Sequence, residues 1–387
     1  MFIRRPLLSL LRRRLSRRLT LIAVLGLGGA GGLVSMAAAG MVLALIGCRE
    51  YWAAGEGLLA AVALLLALMD ACLCLRLFAI MFASPPAAGG VYLPVDAAHG
   101  LHRRIIDMAR RFRSRPIDHV WITSDMNVAV LQRPRWGRVG RVETHLLVGL
   151  PLVHCVSGKQ LMAVLAHEMA HLVLQRRGLG KYGALLRAWC LRVHDGLADA
   201  LPLFCALGDG IQRRFYYDMS RLTRLEEFEA DAQAAQVVGP GLLGETLIEL
   251  SLKEQFLRGD YWPRILAQSE WRVRPLVRPY RDMGLGLAAG FLRLGANDSS
   301  IGESEAGGAL RSLHPTLRER LRALRVYPRP AQLERPSAAR QFLAPILPTL
   351  AWAFDRAWWE SNRAAWQPNE RRRGRQCGRE ALTTIIK

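Results

Sequence analysis

Two long apolar runs open the chain. Leu19–Gly47 carries no charged residue over 29 positions, against the ~20 that a helix needs to cross a hydrocarbon core. It is too long for a signal-peptide core of ~7–15 residues. The second run, Trp52–Phe82, holds Glu56 near its start and Asp70 and Arg76 inside. Charge at membrane depth is costly. The second span is therefore expected at about residues 53–75, with Arg76 snorkelling at its exit and Asp70 protonated or paired. Gly28 and Gly32 form a small-xxx-small pair in the first span.

Beyond residue 84 the pattern turns mixed. Val120–Thr123, Val128–Gln132 and Glu143–Val148 read as short strands, the last two flanking Pro134-Arg135-Trp136-Gly137 as a hairpin. Leu161, Val164, Leu165, Leu172 and Val173 recur at helical spacing, and Ser157 with Gln160 forms a capping box at the start. Residues 179–226 read as amphipathic helices with no third span. The segment 297–308 reads as a loop, and 336–366 as helices with packed tryptophans. The expected fold class is α+β: a transmembrane hairpin, then a mostly helical domain with a small β-sheet. The expected organisation is a basic N-terminus over 1–18, the hairpin over 19–83, one domain over 84–330, and a helical extension with a basic tail over 331–387.

Composition narrows this picture. With 51% hydrophobic and 22% charged residues, the chain is not a disordered polymer. Its 7 cysteines show no CxxC pair and read as reduced thiols. The net charge of +21 first suggests nucleic acid or anionic lipid. Position decides between them. Arg4, Arg5, Arg12, Arg13, Arg14, Arg17 and Arg18 precede the first span. Arg103, Arg104, Arg110, Arg111, Arg113 and Arg115 follow the second, and the loop between the spans has only Arg49. The positive-inside rule then places the N-terminus and everything after residue 84 in the cytoplasm, with the chain in the cytoplasmic (inner) membrane. The tail arginines Arg371, Arg372, Arg373, Arg375 and Arg379 read as lipid-adjacent. No nucleic-acid-binding motif accompanies the charge, so no nucleic-acid partner is expected.

The chemistry sits on the capped helix. His167 and His171 are four residues apart, so both imidazoles leave one helix face and suit two nitrogen ligands of zinc. Glu168 follows the first histidine, where a carboxylate can take a proton from an attacking water and pass it to the leaving amine. A zinc site of this kind needs a third protein ligand. The candidates lie in Arg224-Leu-Glu-Glu-Phe-Glu-Ala-Asp231, where Glu227 and Asp231 share a face and Glu229 points elsewhere. Asp231 could accept the distal N–H of a ligating histidine.

The pair His167-Glu168-Met-Ala-His171 and Glu227-Phe-Glu-Ala-Asp231 resembles the integral-membrane zinc metallopeptidases typified by HtpX and the CAAX prenyl protease. Val120–Ala129 resembles that family's strand and cleft-lining segment, with Asn127 in the cleft and Val128 where the family has alanine. Leu313-His314-Pro315 with Arg320 resembles its late His-Pro helix start. The likeness covers roughly residues 76–330, nearest to the bacterial "protease with chaperone function" group. HtpX itself is expected to carry further spans between the zinc motifs, and this chain does not, which sets it apart from HtpX orthologues. The resemblance implies a zincin-type fold and one Zn2+ per chain, held by His167, His171 and Glu227. It also implies Glu168 as acid and base, Asp231 behind a ligand, and His314 and Arg320 near the reacting groups. A plainer reading of the last segment puts Pro315 at the first helical position and Arg320 in a structural ion pair.

These readings converge on a membrane-anchored zinc endopeptidase acting on membrane or misfolded proteins, with protein substrate and lipid bilayer as partners. The alternative is a non-catalytic scaffold or chaperone-like binder using the same cleft. No feature of the sequence fixes an oligomeric state.

Overall fold

The computed structural model describes residues 5–83, 88–136, 139–176, 181–200, 202–270, 272–294, 314–327 and 336–366. The expected loop at 297–308 and the basic tail lie outside the described residues, as does Gly137 of the expected turn. The elements in chain order are α1 (Arg5–Ala53), α2 (Gly57–Phe82), β1 (Val91–Tyr92), α3 (His99–Arg111), β2 (His119–Thr123), β3 (Val128–Trp136), β4 (Val139–Gly149), α4 (Leu150–Cys155), α5 (Gly158–Arg176), α6 (Lys181–Ala200), α7 (Pro202–Val238), α8 (Pro240–Phe256), α9 (Trp262–Ala267), α10 (Met283–Leu294), α11 (Leu317–Leu324), α12 (Ala338–Leu343) and α13 (Leu347–Trp366). The fold is mostly helical with one small mixed sheet, as the pattern predicts. The chain divides into two compact units, Met1–Pro86 with Leu174–Glu226, and Ala87–Val173 with Glu227–Lys387.

In the first unit, α1 and α2 are each long and apolar enough to cross a membrane. Leu25, Met36, Leu43, Leu58 and Leu65 stand exposed along them. Such a surface is a liability in water and is satisfied by lipid. A tight turn joins the two helices. Gly55 has φ of +77°, its N–H bonds the Trp52 carbonyl, and the Glu56 N–H reaches the Tyr51 carbonyl. This left-handed stop needs glycine. It starts α2 at Gly57, four residues later than the apolar pattern predicts. Gly28 and Gly32 face nothing within 4 Å. Close approach occurs instead at Gly40, where the Asp70 carboxylate fills the space a side chain would need. The N-terminal arginines are not all solvated. Arg12 is buried and donates to the Leu174 carbonyl, while Arg187 donates to Ser16 Oγ and Thr20 Oγ1.

In the second unit the sheet runs β1-β2-β4-β3. β1 and β2 are antiparallel, β2 and β4 are parallel, and β3 and β4 form the expected hairpin. The strands are longer than the pattern predicts. β3 absorbs Pro134 because it lies at a sheet edge, and the register shifts between Pro134 and Trp136. Alternation sets the two faces. Val120, Ile122, Thr144, Leu146 and Val148 turn into the core with Leu101 and Ile105 of α3 and Leu161 and Leu165 of α5. His119, Trp121, Glu143 and His145 take the other face.

Several contacts fix the start of α5. Ser157 and Gln160 form the expected capping box: the Ser157 N–H bonds Gln160 Oε1 at 2.8 Å and the Gln160 N–H bonds Ser157 Oγ at 3.4 Å. The Ala338 N–H bonds the Val156 carbonyl, which ties α12 across this end. At the end of β4, a Cβ on Gly149 would fall 1.8 Å from the Asp125 carbonyl oxygen, so only glycine fits. The C-terminal tryptophans pack: Trp358 stacks on Trp262 and meets Trp366, which is buried.

His154 on α4 is a pH-sensitive part of this core. Its Nε2 is buried without a hydrogen-bond partner among the described residues. Burial, helped by the charge of Arg340, pushes its pKa down to about 4. Below the ordinary value near 6.5 the unfolded ring binds a proton that the folded ring refuses. Its contribution is therefore complete above that value and is lost as pH falls toward 4, by at most about 3 kcal/mol. Thermal melts of wild type and His154→Gln between pH 7 and 4 should converge as pH falls, and parallel curves would refute the assignment.

Candidate metal centre

Helix α5 presents His167 and His171 from one face, because residues four apart lie one turn above each other. Their Nε2 atoms approach to 3.1 Å. Glu227 on α7 points a buried carboxylate at both. Its Oε2 lies 3.4 Å from His167 Nε2, and its Oε1 lies 3.5 Å from His171 Nε2. These three residues form a group whose ligand atoms could hold a metal ion. A tetrahedral zinc with bonds of about 2.0–2.1 Å needs ligand atoms about 3.3–3.5 Å apart, so the histidine pair must open by a few tenths of an ångström and one Glu227 oxygen must turn to face both rings. Two imidazole nitrogens and a carboxylate oxygen are also a donor set that zinc favours.

Asp231 lies one turn beyond Glu227 on α7 and is almost fully buried. Its Oδ1 is 2.9 Å from His167 Nδ1. In the neutral ring that contact places the proton on Nδ1 and leaves the Nε2 lone pair facing His171 and Glu227. Asp231 is neutralised from α11. Arg320 Nε donates to Oδ2 at 2.7 Å, and Nη2 donates to Oδ1 at 2.6 Å. The Nη2 also lies 3.6 Å from Glu227 Oε2. Arg320 thus forms the two-pronged ion pair of the plainer reading.

The start of α11 differs from that reading. Thr316, not Pro315, caps it through a reciprocal box with Glu319. Pro315 stands outside the helix because the Thr316 side chain takes the capping role. Gly244 on α8 leaves the room into which Val326 and Leu321 pack, which seats α11 and its arginine. His314 precedes the helix, is exposed, and places Nδ1 3.1 Å from Glu227 Oε1.

The electrostatics follow from this crowding. Burial disfavours charge on His167, but the Asp231 and Glu227 carboxylates outweigh it and hold the ring's pKa up to about 9. Burial would raise Glu227, yet the three imidazoles hold its carboxyl well below the usual range. Asp231 is likewise held down against burial, chiefly by Arg320. The pocket therefore calls for positive charge where the ligand atoms converge. Glu168, between the two histidines on α5, is the exception. The protein packed around it raises its carboxyl above the ordinary value despite the pull of His167 and His171. A carboxyl shifted upward is suited to holding and releasing a proton near neutral pH.

The structure thus gathers His167, Glu168, His171, Glu227, Asp231, His314 and Arg320. Asn127 is exposed at the turn before β3, where its carbonyl accepts the Gly149 N–H at 2.8 Å, and it makes no hydrogen bond to this cluster. A second group that could hold a metal, His119, Glu143 and His145, lies on the sheet. Sequence reasoning missed it, because parallel pairing of β2 with β4 is what brings His119 beside His145.

The family model described as Peptidase family M48 matches residues 140–327, which include the metal cluster and Arg320. No curated protein and no solved structure matches the chain.

Proposed function

We propose that this chain, which belongs to peptidase family M48, is a membrane-anchored zinc endopeptidase with its catalytic residues on the cytoplasmic side of the inner membrane. The observation that carries the reading is the convergence of His167, His171 and Glu227 at 3.1, 3.4 and 3.5 Å beside Glu168. His167, His171 and Glu227 would hold the ion. Zinc there would supply Lewis acidity to polarise the scissile carbonyl and activate water. Glu168 takes the proton of the attacking water and returns it to the leaving amine. Asp231 keeps the His167 proton on Nδ1, and Arg320 keeps Asp231 ionised. These two are positioning residues. His314 reaches Glu227 from the exposed side, next to where a substrate would enter.

Strand β3 is at the sheet edge, and Asn127 stands at its start. An extended polypeptide adding to that edge would be held through its backbone, which favours unfolded or misfolded chains over one sequence. The arginines in the N-terminal part of α1, with those that follow α2, support the cytoplasmic orientation.

The test uses untagged full-length protein in detergent. The expected result is cleavage of an unfolded polypeptide that is abolished by a chelator and restored by zinc. His167→Ala should lose both zinc and cleavage. Tight zinc binding with no cleavage of any unfolded chain would overturn the peptidase reading in favour of a binding scaffold.

A further inference from the structure

The outward face of the sheet carries a second convergence of metal-binding groups. Glu143 and His145 are two apart on β4 and so share a face, and the parallel register sets His119 of β2 opposite His145. The two rings stack at 4.8 Å between centroids, with planes 27° apart. Both turn Nε2 toward one carboxylate oxygen. Glu143 Oε2 is 3.5 Å from His119 Nε2 and 4.0 Å from His145 Nε2. The first separation already matches the spacing of ligands on a common ion, and the second must close by about half an ångström. Side-chain exposures of 37%, 23% and 11% for His119, Glu143 and His145 leave an entry path and room for solvent ligands.

We propose that His119, Glu143 and His145 form a second transition-metal site, taking zinc, nickel or copper as divalent ions. Two imidazoles and one carboxylate select these ions over magnesium or calcium, which prefer oxygen ligands. The site shares no residue with the α5 cluster and does not depend on the peptidase reading.

Two neighbours weaken it in identifiable ways. The Trp121 indole N–H donates to His145 Nδ1 at 3.1 Å. That bond keeps the proton of the neutral ring on Nε2, the atom the metal needs. Binding must move that proton to Nδ1, and the indole must then give up its acceptor. Arg135 Nε lies 3.6 Å from Glu143 Oε1 and competes for the carboxylate. The site therefore binds more weakly than the α5 cluster, where Asp231 already holds the His167 proton on Nδ1. Removing either neighbour tightens it, a sign opposite to that expected for a packing residue.

The experiment is a zinc titration against a chromophoric chelator on untagged full-length protein in detergent. A His167→Ala/His171→Ala variant should still bind one weak equivalent. Adding His119→Ala/His145→Ala should remove it, and His119→Ala alone should weaken it tenfold or more. Trp121→Phe and Arg135→Ala should each tighten it several-fold. Copper(II) loaded into the His167→Ala/His171→Ala protein should show nitrogen hyperfine splitting that is lost with His119 and His145. Unchanged stoichiometry on removing His119 and His145, or weaker binding in Trp121→Phe, overturns the proposal. Loss of zinc from the α5 cluster alone leaves it standing.

Discussion

Glu168→Gln is expected to retain its zinc and to lose peptide-bond cleavage by about a thousandfold or more. Gln keeps the shape and packing of Glu168 on α5 but cannot accept a proton. General acid–base transfer contributes roughly 10²–10⁴ in rate. The loss should appear in kcat with little change in KM, because the proton moves only in the transition state. Elemental analysis reports the zinc, and initial rates on an unfolded polypeptide report the chemistry. A variant that cleaves at the wild-type rate removes Glu168 from the mechanism. A variant that loses zinc instead makes Glu168 a support of the metal cluster rather than a proton carrier.

Arg320→Ala is expected to cost about 3–5 kcal/mol of stability, the penalty for leaving a buried partner charge uncompensated. Asp231 is 1% exposed, and Arg320 is its two-pronged counter-ion. An uncompensated Asp231 would draw a proton and release His167 Nδ1, so zinc affinity should fall about 10–100-fold as well. Arg320→Lys keeps the charge but not the fork and should fall between. Combining Arg320→Ala with Asp231→Asn should recover much of the loss, since the residues act as a pair. Thermal melts with zinc competition measure both effects, and strictly additive losses would show that the pair is not coupled.

The parts legible in the sequence are those governed by local geometry. His167 and His171 could be placed together because four residues make one helical turn. The Ser157–Gln160 box follows from spacing alone, as does the β3–β4 hairpin across its short connection. The role of Glu227 needed more, because helix geometry set Glu229 aside but left Glu227 and Asp231 on one face, and only a likeness to other peptidases gave each its part. The pairing of Arg320 with Asp231 spans 89 residues and depends on how α11 seats against Gly244 of α8, which no periodicity encodes. The His119–His145 cluster was hidden because sequence reading paired β4 with β3, its neighbour along the chain. The parallel partner β2 lies beyond that hairpin. The late start of α2 traces to one torsion at Gly55, which hydropathy does not register.

The metal cluster is drawn from three stretches, around residues 167–171, 227–231 and 314–320. Asp231 gains its counter-ion only from the last of these. Synthesis runs from the N-terminus, so α1 and α2 are complete long before Arg320 is added. Until then Asp231 lacks the charge that keeps it ionised and His167 correctly protonated. The order of synthesis therefore leaves the charge pair behind His167 incomplete until residue 320 has been added.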